Sequence, residues 1–167
     1  NKQEPLLDKP RLLYVGRIKV EKGIFSLLKI FDQIKIDSEL SIVGRTENVN
    51  SNNKKVIFVG PVYDPATLIK IYDNHNIFIL PSFTEAHPKV IDESLARIRP
   101  VIIFDEIKHI IQDRKGIFVS KRNAKSLLET INFIMKNYQN IQESMLENKL
   151  PTKQEFISQM SNILQSN

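Results

Sequence analysis

The sequence predicts an α/β domain: a parallel sheet of about six strands with helices on both faces and extra helices at the C-terminal end. Three observations carry this. Short apolar runs alternate with longer stretches of helical spacing, the order that builds parallel strand–helix units. The runs are continuously hydrophobic rather than alternating, as strands buried on both faces require. Three of them stop at a glycine (Gly16, Gly44 and Gly60), where the backbone turns tightly or approaches something closely.

Arg11 to Gly16 reads as the first strand. Lys22 to Lys35, apolar at positions 24, 27, 28, 31 and 34, reads as the helix after it. Leu40 to Gly44 and Val56 to Gly60 are the second and third strands, with a polar loop at 48–55 between them. Asp64 is a natural N-cap with Pro65 in the first helical position, predicting a helix to about Asp73. Ile77 to Leu80 is the fourth strand, ended by Pro81-Ser82, and Pro88 opens a helix to about Arg97. Val101 to Ile103 and Ile117 to Val119 are further strands with a short helix between them. Asn123 caps a helix through about Asn137, helical spacing continues from Gln139 to Glu147, and Pro151-Thr152 sets off a last helical stretch. The chain thus divides into a linker remnant at 1–10, a ligand-binding domain at 11–150 and a terminal helix at 151–167.

At 167 residues the chain is the size of one domain with room for a buried core. Its 41% hydrophobic and 26% charged residues fit a soluble globular protein. No run approaches the ~18 apolar residues of a membrane span. With no cysteine, disulfide and thiolate chemistry are excluded, which fits a cytoplasmic protein. A net charge of +5 admits nucleic acid, an anionic membrane surface or an anionic small ligand. The basic residues are scattered and no row of them alternates with aromatics, so nucleic acid is set aside. Loose peripheral contact with anionic head groups at the inner membrane face stays open.

Glu85 and Glu93 lie eight positions apart, but so do Glu39 and Glu47, and Glu147 and Glu155. Context separates the pairs. Glu85 alone follows a strand-ending Pro-Ser turn and precedes a proline-initiated helix, which puts it in the crevice at a strand's carboxyl end. Glu93 sits about one and a half turns along that helix, and helical side chains lean back toward the N-terminus. The first amides of the helix lack intrahelical partners and the macrodipole makes that end partly positive, so a diphosphate fits there. Arg17 and Lys22 flank the loop after the first strand and open into the same region, unless they are only solvated cations, perhaps paired with Glu21. No Asp-x-Asp motif occurs, and His75, His87 and His109 show no metal-ligand spacing.

Taken together, Leu13-Tyr14-Val15-Gly16-Arg17 with Lys22-Gly23, Val56 to Gly60, Phe78 to Ser82 running into Glu85-Ala86-His87-Pro88, Glu93 to Ala96, and Pro100-Val101-Ile102 resemble a known family. They resemble the C-terminal, Rossmann-like domain of family 4 glycosyltransferases, which are retaining enzymes of the GT-B architecture. The resemblance runs from about Leu12 to Asn137. It implies a nucleotide-sugar donor, commonly a UDP-sugar, as substrate, with no cofactor and no bound metal, in the building of a surface polysaccharide or lipid-linked glycan. It makes Glu85, Arg17 and Lys22 the catalytic candidates, with Arg17 and Lys22 on the diphosphate and Glu85 near the sugar. Glu93 would bind the ribose. Gly16 and the segment Ala86, His87, Pro88, Lys89 and Val90 would meet sugar and phosphate, and Gly60, Pro61 and Val62 would line the base pocket. Because the architecture has two domains, the chain reads as the donor-binding half of a longer enzyme, inactive alone, whose glycan or lipid-linked acceptor is held by an N-terminal domain.

Three positions depart from the family pattern. Ala86 stands where glycine is usual, and His109 where a glutamate is common. Ile98 stands where glycine commonly closes the helix. A β-branched residue is strained at positive φ, so a different turn is expected there. His87 either touches the donor or faces solvent. A non-catalytic domain binding nucleotide or protein is the alternative function. A nicotinamide-dependent oxidoreductase is rejected, since no G-x-G-x-x-G follows a strand.

Overall fold

A computed structural model describes residues 4–45 and 49–150. The helical stretch anticipated after Pro151 lies outside them. Six strands form one sheet: β1 (Arg11–Val15), β2 (Glu39–Val43), β3 (Val56–Gly60), β4 (Ile77–Leu80), β5 (Val101–Phe104) and β6 (Ile117–Ser120). Their order is β3-β2-β1-β4-β5-β6 and every pairing is parallel. Helices α1 (Ile24–Phe31), α2 (Pro65–Asn74), α3 (Lys89–Ala96), α4 (Ala124–Lys136) and α5 (Tyr138–Met145) accompany it, with 3-10 turns at Val20–Lys22 and Asp105–Ile110. The fold is the Rossmann-like α/β domain anticipated. Among the described residues no helix is long and apolar enough to cross a membrane.

Leu12, Leu13 and Tyr14 of β1, all of β4 and all of β5 are buried, which is why those runs are uninterrupted by polar residues. The expectation of burial on both faces fails at β3. It is an edge strand paired only with β2, and Ile57 and Val59 are exposed. Caps set two helix starts as anticipated: the Asp64 side chain accepts from Thr67 N at 2.8 Å and that of Asn123 from Ser126 N at 2.9 Å. Pro88 is the N-cap of α3 rather than its first residue. The helix expected from Lys22 is shorter, because Gly23 at φ 68° separates the 3-10 turn from α1.

The expectation for Ile98 is wrong. Its φ is 55°, in the left-handed region. The helix ends in a Schellman arrangement, with Ile98 N donating to Leu95 O at 2.9 Å and Arg99 N to Ser94 O at 3.0 Å. The Ser94 hydroxyl adds a bond to Arg99 O at 3.0 Å. Arg99 is buried, and its guanidinium donates to the Tyr72 and Asp73 carbonyls at the end of α2. These bonds, with Ile98 packed on the core, hold a conformation that a β-branched residue disfavours by about 1–2 kcal/mol.

Residues 6–9, in the segment read as a linker remnant, are stitched to the domain. Buried Asn76 donates to Leu6 O and Lys9 O at 2.9 and 2.8 Å and accepts from Arg11 N at 2.8 Å.

The strand order reverses between β1 and β4, so the chain leaves their adjacent carboxyl ends in opposite directions across the sheet. A crevice opens there, between the loop after Val15 and the loop after Leu80.

Candidate functional site

The two loops that flank the crevice are docked on each other. The Phe83 amide donates to Glu21 O at 2.9 Å. Gly23 passes so close that a Cβ on it would lie 1.8 Å from the Pro81 carbonyl oxygen. A glycine is required by both that approach and its positive φ. This docking brings together two residues 63 positions apart: Lys22 Nζ lies 2.6 Å from Glu85 Oε1. The Ser82 hydroxyl donates to the same oxygen at 2.7 Å. With side chains 21% and 10% exposed, Lys22 and Glu85 form a pair largely shielded from water. Glu21 faces Lys19, at 3.8 Å, rather than Lys22.

Gly16, Arg17, Lys22, Glu85, Pro88, Lys89 and Val90 line a cleft of about 430 Å³. No side chain caps α3, and its first residues, Lys89 and Val90, line this space at the positive end of the helix dipole. A second cleft, about 530 Å³, shares Val15, Gly16 and Arg17 with the first and is walled by Pro61 and Val62. The two clefts adjoin at these shared residues and together form the groove at the carboxyl ends of β1, β2 and β4. A larger hollow, about 650 Å³, lies elsewhere, between α1 and residues 50–55, and is lined by none of the candidate site residues named from the sequence.

Gly60, Ala86, His87 and Glu93 do not line the groove. Glu93 stands beside it, one turn of α3 after Val90, and its Oε2 accepts from the Tyr72 hydroxyl at 2.9 Å. Burial pushes the Tyr72 phenol well above the ordinary tyrosine range, and the charge of Glu93 adds to this. Tyr72 is thus a fixed donor that sets the direction of the Glu93 carboxylate. His87 is exposed and turned to Asp92, with Nε2 3.2 Å from Oδ2, while Asp92 also accepts from Arg114 Nη1 at 2.7 Å. Ala86 has no positive φ, so the absence of glycine there brings no backbone strain. His109 Nε2 lies 2.9 Å from the Glu85 carbonyl oxygen and must carry the hydrogen, since a carbonyl only accepts.

Tyr14, which belongs to the first strand and to the family motif but has no role of its own in the sequence reading, supports the groove floor. Its hydroxyl donates to Arg17 O at 2.7 Å, and a Cβ on Gly16 would lie 2.9 Å from the Tyr14 hydroxyl oxygen. Burial raises the Tyr14 phenol above its usual range, with the charge of Glu85 the next contribution. Lys19, Arg45 and Tyr63 also line the second cleft, and sequence reasoning missed them. Their proximity to Gly16, Gly44 and Pro61 is the signal that marked them. Among the described residues no group of three or more His, Cys, Asp or Glu side chains is placed to hold a metal ion.

Residues 9–137 match the family model of the glycosyl transferases group 1. The chain belongs to that family. Among similar sequences, the capsular polysaccharide biosynthesis glycosyltransferase CapM of Staphylococcus aureus is 29% identical over 151 residues, covering 81% of this chain and 39% of CapM. The putative teichuronic acid biosynthesis glycosyltransferase TuaC of Bacillus subtilis is 30% identical over 129 residues, 75% of this chain and 33% of TuaC. This group 1 chain therefore spans 39% and 33% of the length of those two relatives. Among the solved structures that share its fold are two that cover nearly all of this chain. Sucrose-phosphate synthase from Thermosynechococcus elongatus superposes with a TM-score of 0.77 at 23% identity, over 96% of this chain and 46% of that one. Anabaena HepE in complex with UDP does so with a TM-score of 0.75 at 15% identity, over 96% and 50%.

Proposed function

We propose that this group 1 chain is the donor-binding half of a retaining, metal-independent glycosyltransferase that takes a UDP-sugar. The observation that carries the reading is the convergence of Lys22 and Glu85 in one cleft with Arg17 and the first residues of α3, whose N-terminus no side chain caps. An anionic diphosphate suits such a place: fixed cations and unpartnered amides balance its charge and stabilise it as a leaving group. In this reading Arg17, Lys22 and the α3 amides supply the positive charge that a metal supplies in other enzymes. The sugar lies near Glu85, the ribose near the Tyr72-directed carboxylate of Glu93, and the base in the cleft beside Pro61 and Val62.

A UDP nucleotide is supported by the HepE complex, whose fold this chain shares. A surface polysaccharide product is supported by the names of CapM and TuaC. The acceptor is held by a further domain of the longer enzyme, as the relatives' greater length suggests. Titrating the chain with UDP-, GDP- and ADP-sugars by calorimetry tests the reading. Binding of a UDP-sugar that weakens on Glu93→Gln supports it. A folded sample that binds none of the three sinks it, and indifference to E93Q removes Glu93 from the site and favours a non-catalytic domain.

A further inference from the structure

We infer that Arg122, in the link between β6 and α4, is a positioning residue that clamps the crevice loops from behind; its bearing on ligand rests on the donor-site reading above. The guanidinium meets three separate parts of the chain: residues 81–83, residues 104–106 and Gly23. Nη1 donates to Pro81 O at 3.0 Å and Nη2 to Ser82 O at 3.3 Å. Nε and Nη2 grip the two carboxylate oxygens of Glu106 at 2.8 and 3.0 Å. The guanidinium carbon lies 4.0 Å from the Phe83 ring centroid and 4.3 Å from that of Phe104. A Cβ on Gly23 would come within 3.2 Å of Nη1, so the group also abuts the loop after β1.

Four of the five N–H donors of the guanidinium are committed in these contacts, so Arg122 has no fork to offer a diphosphate. Its action goes through the residues it holds. Ser82 carries the hydroxyl bonded to Glu85, and the Phe83 amide is bonded to Glu21, the neighbour of Lys22. Fixing the Pro81 and Ser82 carbonyls and the Phe83 ring therefore fixes the separation of Lys22 and Glu85. Lysine cannot substitute, because a point charge lacks the planar fork that donates in several directions while lying on aromatic faces.

The test uses R122A and R122K in the 167-residue chain, with amide hydrogen exchange, thermal midpoint and calorimetric titration of UDP. In both variants the Phe83 amide should exchange faster and UDP should bind more weakly, each by about tenfold or more, the scale of one lost charge-assisted hydrogen bond. Exchange in β4 and β5 should stay as in the wild type. Phe83 exchange and UDP affinity within about twofold of wild type, at a scale where one such bond is worth tenfold, would overturn the inference. So would full rescue by lysine, or faster exchange spread evenly through the core. Should R122A fail to fold, R122K decides. Should wild type bind no UDP, the donor-site reading fails while the exchange comparison still judges Arg122.

Discussion

Lys22 Nζ and Glu85 Oε1 are 2.6 Å apart, so the two charges facing the crevice neutralise each other before any ligand arrives. The positive potential met first by an anion then comes from Arg17, Lys89 and the N-terminus of α3. A diphosphate bound as proposed would share Lys22 with Glu85.

The two partners therefore respond oppositely to substitution. Lys22→Met should weaken UDP binding by about 10- to 100-fold, since a charge-assisted bond is lost and Glu85 is left repelling the phosphates. Glu85→Gln releases Lys22 and removes that repulsion, so UDP should bind as tightly or more tightly, while the extra affinity due to the sugar disappears. Calorimetry with UDP and a UDP-sugar reads both. Weaker UDP binding by E85Q would show that the pair does not compete with phosphate.

Gly23→Ala should cost at least about 2 kcal/mol, combining left-handed strain with overlap against a backbone carbonyl that belongs to another loop. UDP affinity should fall with it, because the Pro81 loop must move. Urea midpoints measure the first effect. A stability within about 0.5 kcal/mol of wild type, the range of an ordinary surface change, would contradict the close approach.

At position 98 the usual order of glycine and alanine should invert. Both substitutions forfeit the packing of the Ile98 side chain, but only alanine retains the strain of φ 55°. Ile98→Gly should therefore be more stable than Ile98→Ala by about 1 kcal/mol. Equal or reversed midpoints would mean that α3 does not end in a left-handed residue.

Alkaline stability should fall above about pH 10, the pKa of an unfolded tyrosine. Burial raises the phenols of Tyr14, Tyr72 and Tyr138 beyond the ordinary range, so the unfolded chain releases protons that the folded chain keeps. This contribution is complete below that pH and is lost as pH climbs toward the folded values, by about 1.4 kcal/mol per pH unit for each tyrosine. Denaturation series at pH 8 to 11 should show a shallower decline for Tyr72→Phe than for wild type. Parallel slopes would rule Tyr72 out as a source.

Much of this was legible in the residues because it depends on local periodicity. Continuous apolar runs marked the strands, Asp64-Pro65 and Asn123 marked helix starts, and the Pro-Ser turn before Glu85 singled out one glutamate pair from three with equal spacing. Ile98 misled because residue preference alone argues against a left-handed conformation. The bonds that hold it come from Ser94 and Leu95, and its packing comes from the core. Sequence adjacency left open a pairing of Lys22 with Glu21, whereas its partner, Glu85, lies 63 residues away.

The chain's own pattern thus settled the α/β class, the strand count and the loops that carry polar residues, since burial of an apolar face imposes a period on sequence. The folded arrangement settled which loops touch: the β1–β4 reversal, the docking of Gly23 on Pro81, the tether from Tyr72 to Glu93 and the clamp of Arg122. No periodic signal records such contacts. They depend on distances across the sheet, where one carbonyl or one guanidinium determines how far apart two charges sit.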